Sequence, residues 1–285
     1  MADSQVSVGA SVAYAWRLWR ANWRSIWGVL ALLSLAATVE GAGSLAGKQA
    51  IQIVGALAGL LLTPMMHGAL FRIAFADRHG ADPAFKPGAL GLQWRAMEWR
   101  LLAASLLKIL FLAIIALLGL VAVAALAVGV GIAKAGPQVL TDANRLAALV
   151  NADPASAGAV VLIGAVALVL CAYFGLRLTL AEPATADNGR IMVLRSWPLT
   201  KGRVLLILVS ALSIYLPVLL ILTVLVGIVS QAASAGITPP QHLDAGPALT
   251  GGLLAGMLSA GVLEPLLAGV FAYYYRHAKA PDPKP

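Results

Sequence analysis

The sequence predicts an all-α polytopic membrane protein, with six transmembrane helices in three hairpins and amphipathic interfacial helices on the cytoplasmic side. Three observations carry this prediction. First, 60% of the 285 residues are apolar and 11% are charged, whereas soluble domains carry about 45–50% apolar and about 25% charged residues. The mean hydropathy of +0.88 agrees. Second, apolar runs recur at about 25–45, 50–76, 100–133, 157–182, 203–231 and 247–275. Each is long enough to cross a hydrocarbon core of roughly 30 Å at about 1.5 Å per residue. Third, the basic residues are distributed unequally between alternate connections. With the N-terminus inside, sixteen of the 20 Lys and Arg residues fall in inner segments. The outer loops hold only Lys48, Lys134 and Arg145, and Lys108 lies within a span. A bias of this size predicts a multi-pass membrane protein with both termini cytoplasmic.

Taken in order, residues 6–27 read as a helix lying flat on the membrane. Trp16, Trp19, Trp23 and Trp27 recur at helical spacing and form one stripe. Arg17, Arg20 and Arg24 each follow one residue later and form the neighbouring stripe. Indoles favour headgroup depth, and arginines reach phosphate from there. The stripe therefore reads as an interfacial anchor or as a surface recognising lipid or a partner. No cleavable signal peptide is visible in this region, so the first run is expected to stay as an anchor. The third run is longer than a bilayer needs and is expected to tilt, to kink at Gly119 or Gly129, or to project.

The outer loops differ from one another. Residues 40–49 form a short, glycine-rich connection. Residues 134–158 include TDANRLAALVNADP, which predicts a short helix capped at Thr141 or Asp142. Residues 231–246 carry Pro239-Pro240 and read as a turn, and the tail from Ala278 to Pro285 reads as disordered.

A weak threefold repeat runs through the chain. AWRLWRANWR at 15–24, QWRAMEWR at 93–100 and LRSWPLTKGR at 194–203 each precede a pair of spans. The second span of each pair carries a proline near its inner half or end: Pro64, Pro183 and Pro265. Small-residue pairs, Gly55/Gly59 and Gly252/Gly256, predict close helix packing.

The segment from Arg177-Leu178 through Pro183-Ala184 to Arg195-Ser196-Trp197-Pro198-Leu199-Thr200-Lys201-Gly202 resembles the bacterial glycerophosphoryl diester phosphodiesterase membrane-domain family. AWRLWRANW is similar to that family's first helix. The resemblance implies a six-span membrane module only, placed in the bacterial inner membrane. The family's catalytic barrel, a separate soluble domain, has no room in this chain, and its His-Arg-Gly is lacking; Arg78-His79-Gly80 has the order wrong.

Polar groups inside spans are costly in lipid and are functional candidates by default. They are His67, Lys108, Arg177 and Glu264. Lys108 and Glu264 sit at comparable depths, roughly 12 Å and roughly 16 Å from the inner face at about 1.5 Å per residue. They are expected to approach each other, either as an ion pair fixing helix register or as a proton or solute site beside Pro265. His67 lies one turn past Pro64 and reads as a packing histidine or a proton relay. Arg177 and Glu182 either meet a headgroup or snorkel to it.

No phosphate loop, HExxH, paired cysteines or nucleophile elbow occurs. No cofactor or metal is therefore expected, and haem is disfavoured because His79, His242 and His277 fall in loops or at span ends. The single Cys171 excludes an intrachain disulfide. The net charge of +8 lies beside apolar runs, which favours anionic lipid headgroups over nucleic acid.

The reading is a non-enzymatic integral membrane protein acting as a scaffold, regulator or lipid-interacting subunit, with a membrane-protein partner or a second copy as further candidates. Its working surface would be Trp16, Arg17, Trp19, Arg20, Trp23, Arg24, Arg177, Arg195, Trp197, Lys201 and Arg203. The alternative is a small-solute or lipid transporter or flippase using Lys108, His67 and Glu264.

Overall fold

The computed structural model describes residues 6–45, 47–80, 82–234 and 253–278. Among them there is no strand, and six helices are long and apolar enough to cross a membrane. They are α1 (Val8–Leu45), α2 (Gln49–His79), α3 (Ala96–Ala135), α5 (Pro154–Leu178), α8 (Val204–Ser234) and α9 (Leu253–Ala278). Three short helices join them: α4 (Ala143–Asn151), α6 (Ala181–Asn188) and α7 (Ser196–Leu199).

The interfacial helix expected at 6–27 is not a separate element. It runs without a break into the first span as α1, 38 residues long. No proline and only one internal glycine, Gly28, falls near the expected junction, so nothing there ends the helix. The same is true of 93–100, where α3 begins at Ala96 and continues for 40 residues. Helix α3 also passes through Gly119 and Gly129 as one helix. Of the third expected interfacial segment, only the four residues of α7 are helical. The Pro239-Pro240 turn, Gly252 and the tail after Ala278 lie outside the described residues.

Two compact units divide the chain: Met1–Ser105 with Thr179–Pro285, and Leu106–Leu178. In the first, α1 is the central element. Helix α2 folds back on it at Gly55, where a Cβ would meet Ala36 O at 2.8 Å and the Glu40 backbone nitrogen closer still. Helix α9 reaches it twice. A Cβ at Gly256 would meet Ser34 O at 2.7 Å, and one at Gly269 would meet Ala15 Cα at 2.8 Å. Lipid supplies little hydrophobic drive between helices, so small residues that admit close backbone contact supply the packing instead. Helix α8 joins through a buried hydroxyl chain. Ser11 Oγ donates to Ser210 Oγ at 2.9 Å, and Ser210 Oγ lies 2.8 Å from Tyr274 Oη.

In the second unit, the later part of α3 packs on α5. Phe111 meets Phe174 edge-on at 5.4 Å, and Gly119 sits against Ala167. None of the residues in the most apolar eighteen-residue stretch of either helix is buried. Leu118, Val161 and Leu168 are 64–71% exposed, a surface that suits lipid and not water. The predicted loop helix is present as α4. Asp142 caps it by accepting from the Asn144 and Arg145 N–H groups, both at 3.0 Å.

Candidate functional site

Two irregular helix segments frame a polar cluster inside the first unit. In α2, Pro64 has no N–H, so the ladder bond to the Leu60 carbonyl cannot form. In α9, residues Ser259–Leu263 form a π-helical turn. Such turns carry one residue more than an α-helix allows and are frequent at functional sites. The Gly261 carbonyl in this turn accepts from Trp19 Nε1–H at 3.1 Å. Trp19, predicted to lie in the interfacial stripe, therefore holds the π turn against α1.

His67 lies three residues past Pro64 and sits between two carboxylates. Its Nδ1 is 2.6 Å from Glu182 Oε2, and its Nε2 is 3.9 Å from Glu264 Oε2. Ser105 Oγ donates to the other Glu182 oxygen at 3.2 Å. Both glutamates immediately precede prolines, Pro183 and Pro265, each near the start of a helical segment. The three repeat prolines thus mark the three acidic or imidazole side chains that meet here.

The two carboxylates differ in access. The Glu182 side chain is 7% exposed, whereas Glu264 is 40% exposed. Glu264 opens on a pocket of about 320 Å³ between α1, α2 and α9. Glu40, Thr63 and Gly59 also line it, and a Cβ at Gly59 would meet nothing within 4 Å. The series from pocket to interior is Glu264, His67, Glu182. A neutral imidazole donates at one nitrogen and accepts at the other; His67 Nδ1 is within hydrogen-bond distance of Glu182, whereas Nε2 faces Glu264 across a gap too long for a direct bond.

Glu182 therefore faces the bundle and not a headgroup, as had been expected for it with Arg177. Lys108, expected beside Glu264, belongs to the second unit and is part-buried on α3. Arg177, also in the second unit, donates from Nε and Nη2 to Tyr173 Oη at 3.1 and 2.9 Å. Among the described residues no group of three or more His, Cys, Asp or Glu side chains is arranged to hold a metal ion.

A second buried constellation has no counterpart in the sequence reading. Arg72 and Glu98 are both wholly buried and form a two-point pair, with Nη1–Oε1 at 2.5 Å and Nη2–Oε2 at 3.1 Å. Arg72 Nε donates to Ala84 O at 2.8 Å, and Glu98 accepts from the Arg95 N–H at 2.7 Å. Glu98 is the third residue of α3, so that last bond is half of a capping box. An acid three residues after a helix start was the available signal for it. Nearby, Asp187 accepts from Tyr275 Oη at 2.7 Å and lies 2.9 Å from His79 Nε2. Arg276 holds Asp77 through both guanidinium nitrogens.

The predicted surface residues are less tightly organised. Trp16, Trp23 and Trp27 are exposed, as are Arg17, Arg20 and Arg24. The Arg24 guanidinium lies 5.6 Å from the Trp23 ring centre. Arg195, Trp197 and Lys201 are exposed around α7. Arg203 is half-buried, and its Nη1 is buried with no hydrogen-bond partner among the described residues. No family model, curated protein or solved structure matches this chain.

Proposed function

We propose that this chain is a bacterial inner-membrane transport protein in which Glu264, His67 and Glu182 carry protons linked to movement of a small solute or a lipid. The observation that supports this most directly is His67 held between a sealed carboxylate and one that opens on a pocket. Titratable groups are expensive inside a membrane, and a packed bundle has cheaper ways to fix helix register. Glu40 on the pocket wall supplies a further acceptor toward the opposite end of α1. In proteoliposomes loaded with a pH-sensitive dye, the wild type is expected to relax an imposed pH gradient. Glu264→Gln and Glu182→Gln are expected to abolish that relaxation while leaving the melting curve in place. Unchanged flux in both variants refutes the reading.

The second reading, a non-enzymatic lipid-interacting subunit or scaffold with cytoplasmic termini, draws on a different observation. The arginine stripe of α1 is exposed along its length, and Arg203 Nη1 is buried without a hydrogen-bond partner among the described residues. Anionic headgroups would complete the exposed stripe. Replacing Arg17, Arg20 and Arg24 by Gln is expected to lower retention of anionic lipid in native mass spectrometry; equal retention counts against this reading.

A further inference from the structure

We propose a discrete binding site for the phosphate of an anionic membrane lipid, built by Arg95 and Arg100 at the start of α3. The site is separate from the proton-carrying cluster and does not depend on it. It is a pocket of about 470 Å³ between the loop 82–95, the first turns of α3 and the end of α6, within the roughly 300–1,000 Å³ range of small-ligand pockets.

The charges on its wall divide into those already committed and those still available. Arg72 is held by Glu98. Asp187 is occupied by His79 and Tyr275, and Asp82 accepts from the Ala84 N–H at 2.8 Å. Arg95 and Arg100 are exposed, and among the described residues no carboxylate lies within ion-pair distance of either. Arg95 Nη1 donates to Pro83 O at 3.3 Å, which steadies it on the pocket rim. Two guanidinium groups line one cavity, and although Asp82 and Asp187 line it too, neither is within ion-pair distance of Arg95 or Arg100 among the described residues. Such groups match phosphate oxygens in a two-point geometry that a lysine cannot reproduce.

A second observation selects a lipid over a free solute. The same segment exposes large apolar side chains: Leu90, Leu92 and Trp99 are 41%, 38% and 59% exposed. Trp99 packs edge-on against Trp94 at 5.0 Å. An indole beside an arginine is the arrangement expected at headgroup depth, with hydrocarbon on one side and phosphate on the other.

The loop is also firmly seated. Its Phe85 ring stacks on His79 at 3.7 Å and 6°. Gly91, with φ of +72°, lies against Ile26 and Val29 of α1. Leu90 adopts φ of +58°, an unusual and costly conformation outside glycine. That strain is held in place by close contact with Gly28. A seated loop spares the backbone ordering cost of binding, leaving only that of the arginine side chains.

The test uses the full chain in detergent, titrated with phosphatidylglycerol or phosphatidylcholine and read by native mass spectrometry. Wild type is expected to retain phosphatidylglycerol over phosphatidylcholine. Arg95→Gln/Arg100→Gln is expected to lose at least tenfold in phosphatidylglycerol affinity, and Arg145→Gln, in the second unit, is expected to lose none. If the double variant fails to fold, Arg100→Gln carries the test, because that side chain makes no hydrogen bond among the described residues. Calorimetric titration with glycerol 3-phosphate forms the second arm, and weak or absent binding there is expected. Four results would overturn the proposal: unchanged phosphatidylglycerol affinity in the arginine variant, equal retention of both lipids, equal loss in Arg145→Gln, or glycerol 3-phosphate binding as tightly as the lipid.

Discussion

A guanidinium does not shed its proton inside a protein, so burying Arg72 obliges the fold to bury an acid with it. Glu98 is that acid, and both side chains are essentially closed to solvent. Removing one partner, by Arg72→Ala or Glu98→Ala, is expected to cost about 3–5 kcal/mol, because the other charge is then left uncompensated. Replacing both by Met and Leu of similar volume is expected to restore most of that loss. Thermal unfolding of the purified protein in detergent reads both outcomes. The space beside this pair is equally fixed, since a Cβ at Gly68 would strike Glu98 Oε1. The sequence identifies Arg72 as a cation near the end of a span, but it does not show on which side of α2 the cation lies. That depends on α3 starting where its third residue can reach back, a relation between segments 26 residues apart. His67 and Glu264 were legible because charge inside an apolar run is visible in one dimension. Glu182 was visible only as a partner of Arg177 at the inner face, and its meeting with His67 was not legible, because α5 ends at Leu178 and Glu182 belongs to the separate helix α6, where it is buried.

At the level of the helix, one motif splits into two different roles. Gly55 and Gly59 form a small-residue pair that reads in sequence as a single packing face. Gly55 meets α1, and Gly59 faces open space at the pocket. Gly55→Ala is therefore expected to destabilise by about 1–3 kcal/mol through overpacking. Gly59→Ala is expected to be neutral or to stabilise by up to about 1 kcal/mol through helix propensity. Comparing the two melting temperatures checks this. The start of α5 makes a second case. Asp153 accepts from the Ser156 hydroxyl and, at 3.1 Å, from its backbone N–H, and Lys134 lies 3.4 Å away. These contacts, the hydroxyl first, hold the Asp153 carboxyl below the usual carboxylate range. A depressed folded value means the cap is fully effective above the unfolded value of about 3.9 and fails as pH falls through the lower folded one. Hydrogen exchange at the first turn of α5 is expected to be unchanged, after correction for intrinsic rates, between pH 7 and pH 5. It is expected to quicken only below about pH 4, and in Asp153→Ala at every pH.

For the molecule as a whole, six apolar helices make the bilayer its principal solvent, and this was readable from run lengths alone. The joints between helices were harder to read. Tryptophan and arginine stripes signal an interface, but with no proline between stripe and span the helix continues, as it does in α1 and α3. The proposed orientation is testable in a Cys171→Ala background. Lys201→Cys, at an exposed position of the same inner segment, is expected to resist an impermeant maleimide in intact cells, and Asp142→Cys, also exposed, is expected to react; equal labelling contradicts the arrangement. The π turn of α9 has a further consequence. It stores a surplus residue, so the stretch that carries Gly256 and the stretch that carries Gly269 are out of step by about 100°, the rotation of one residue. Both nonetheless seat on α1. Winding the same residues as an ordinary spiral would leave only one of those two seats in phase, whereas deleting Gly261 is expected to restore the ordinary spiral with both still seated. The same surplus, passed along by a single position, would swing Glu264 around the axis while both ends stay anchored, as a ratchet tooth advances without the wheel leaving its bearings.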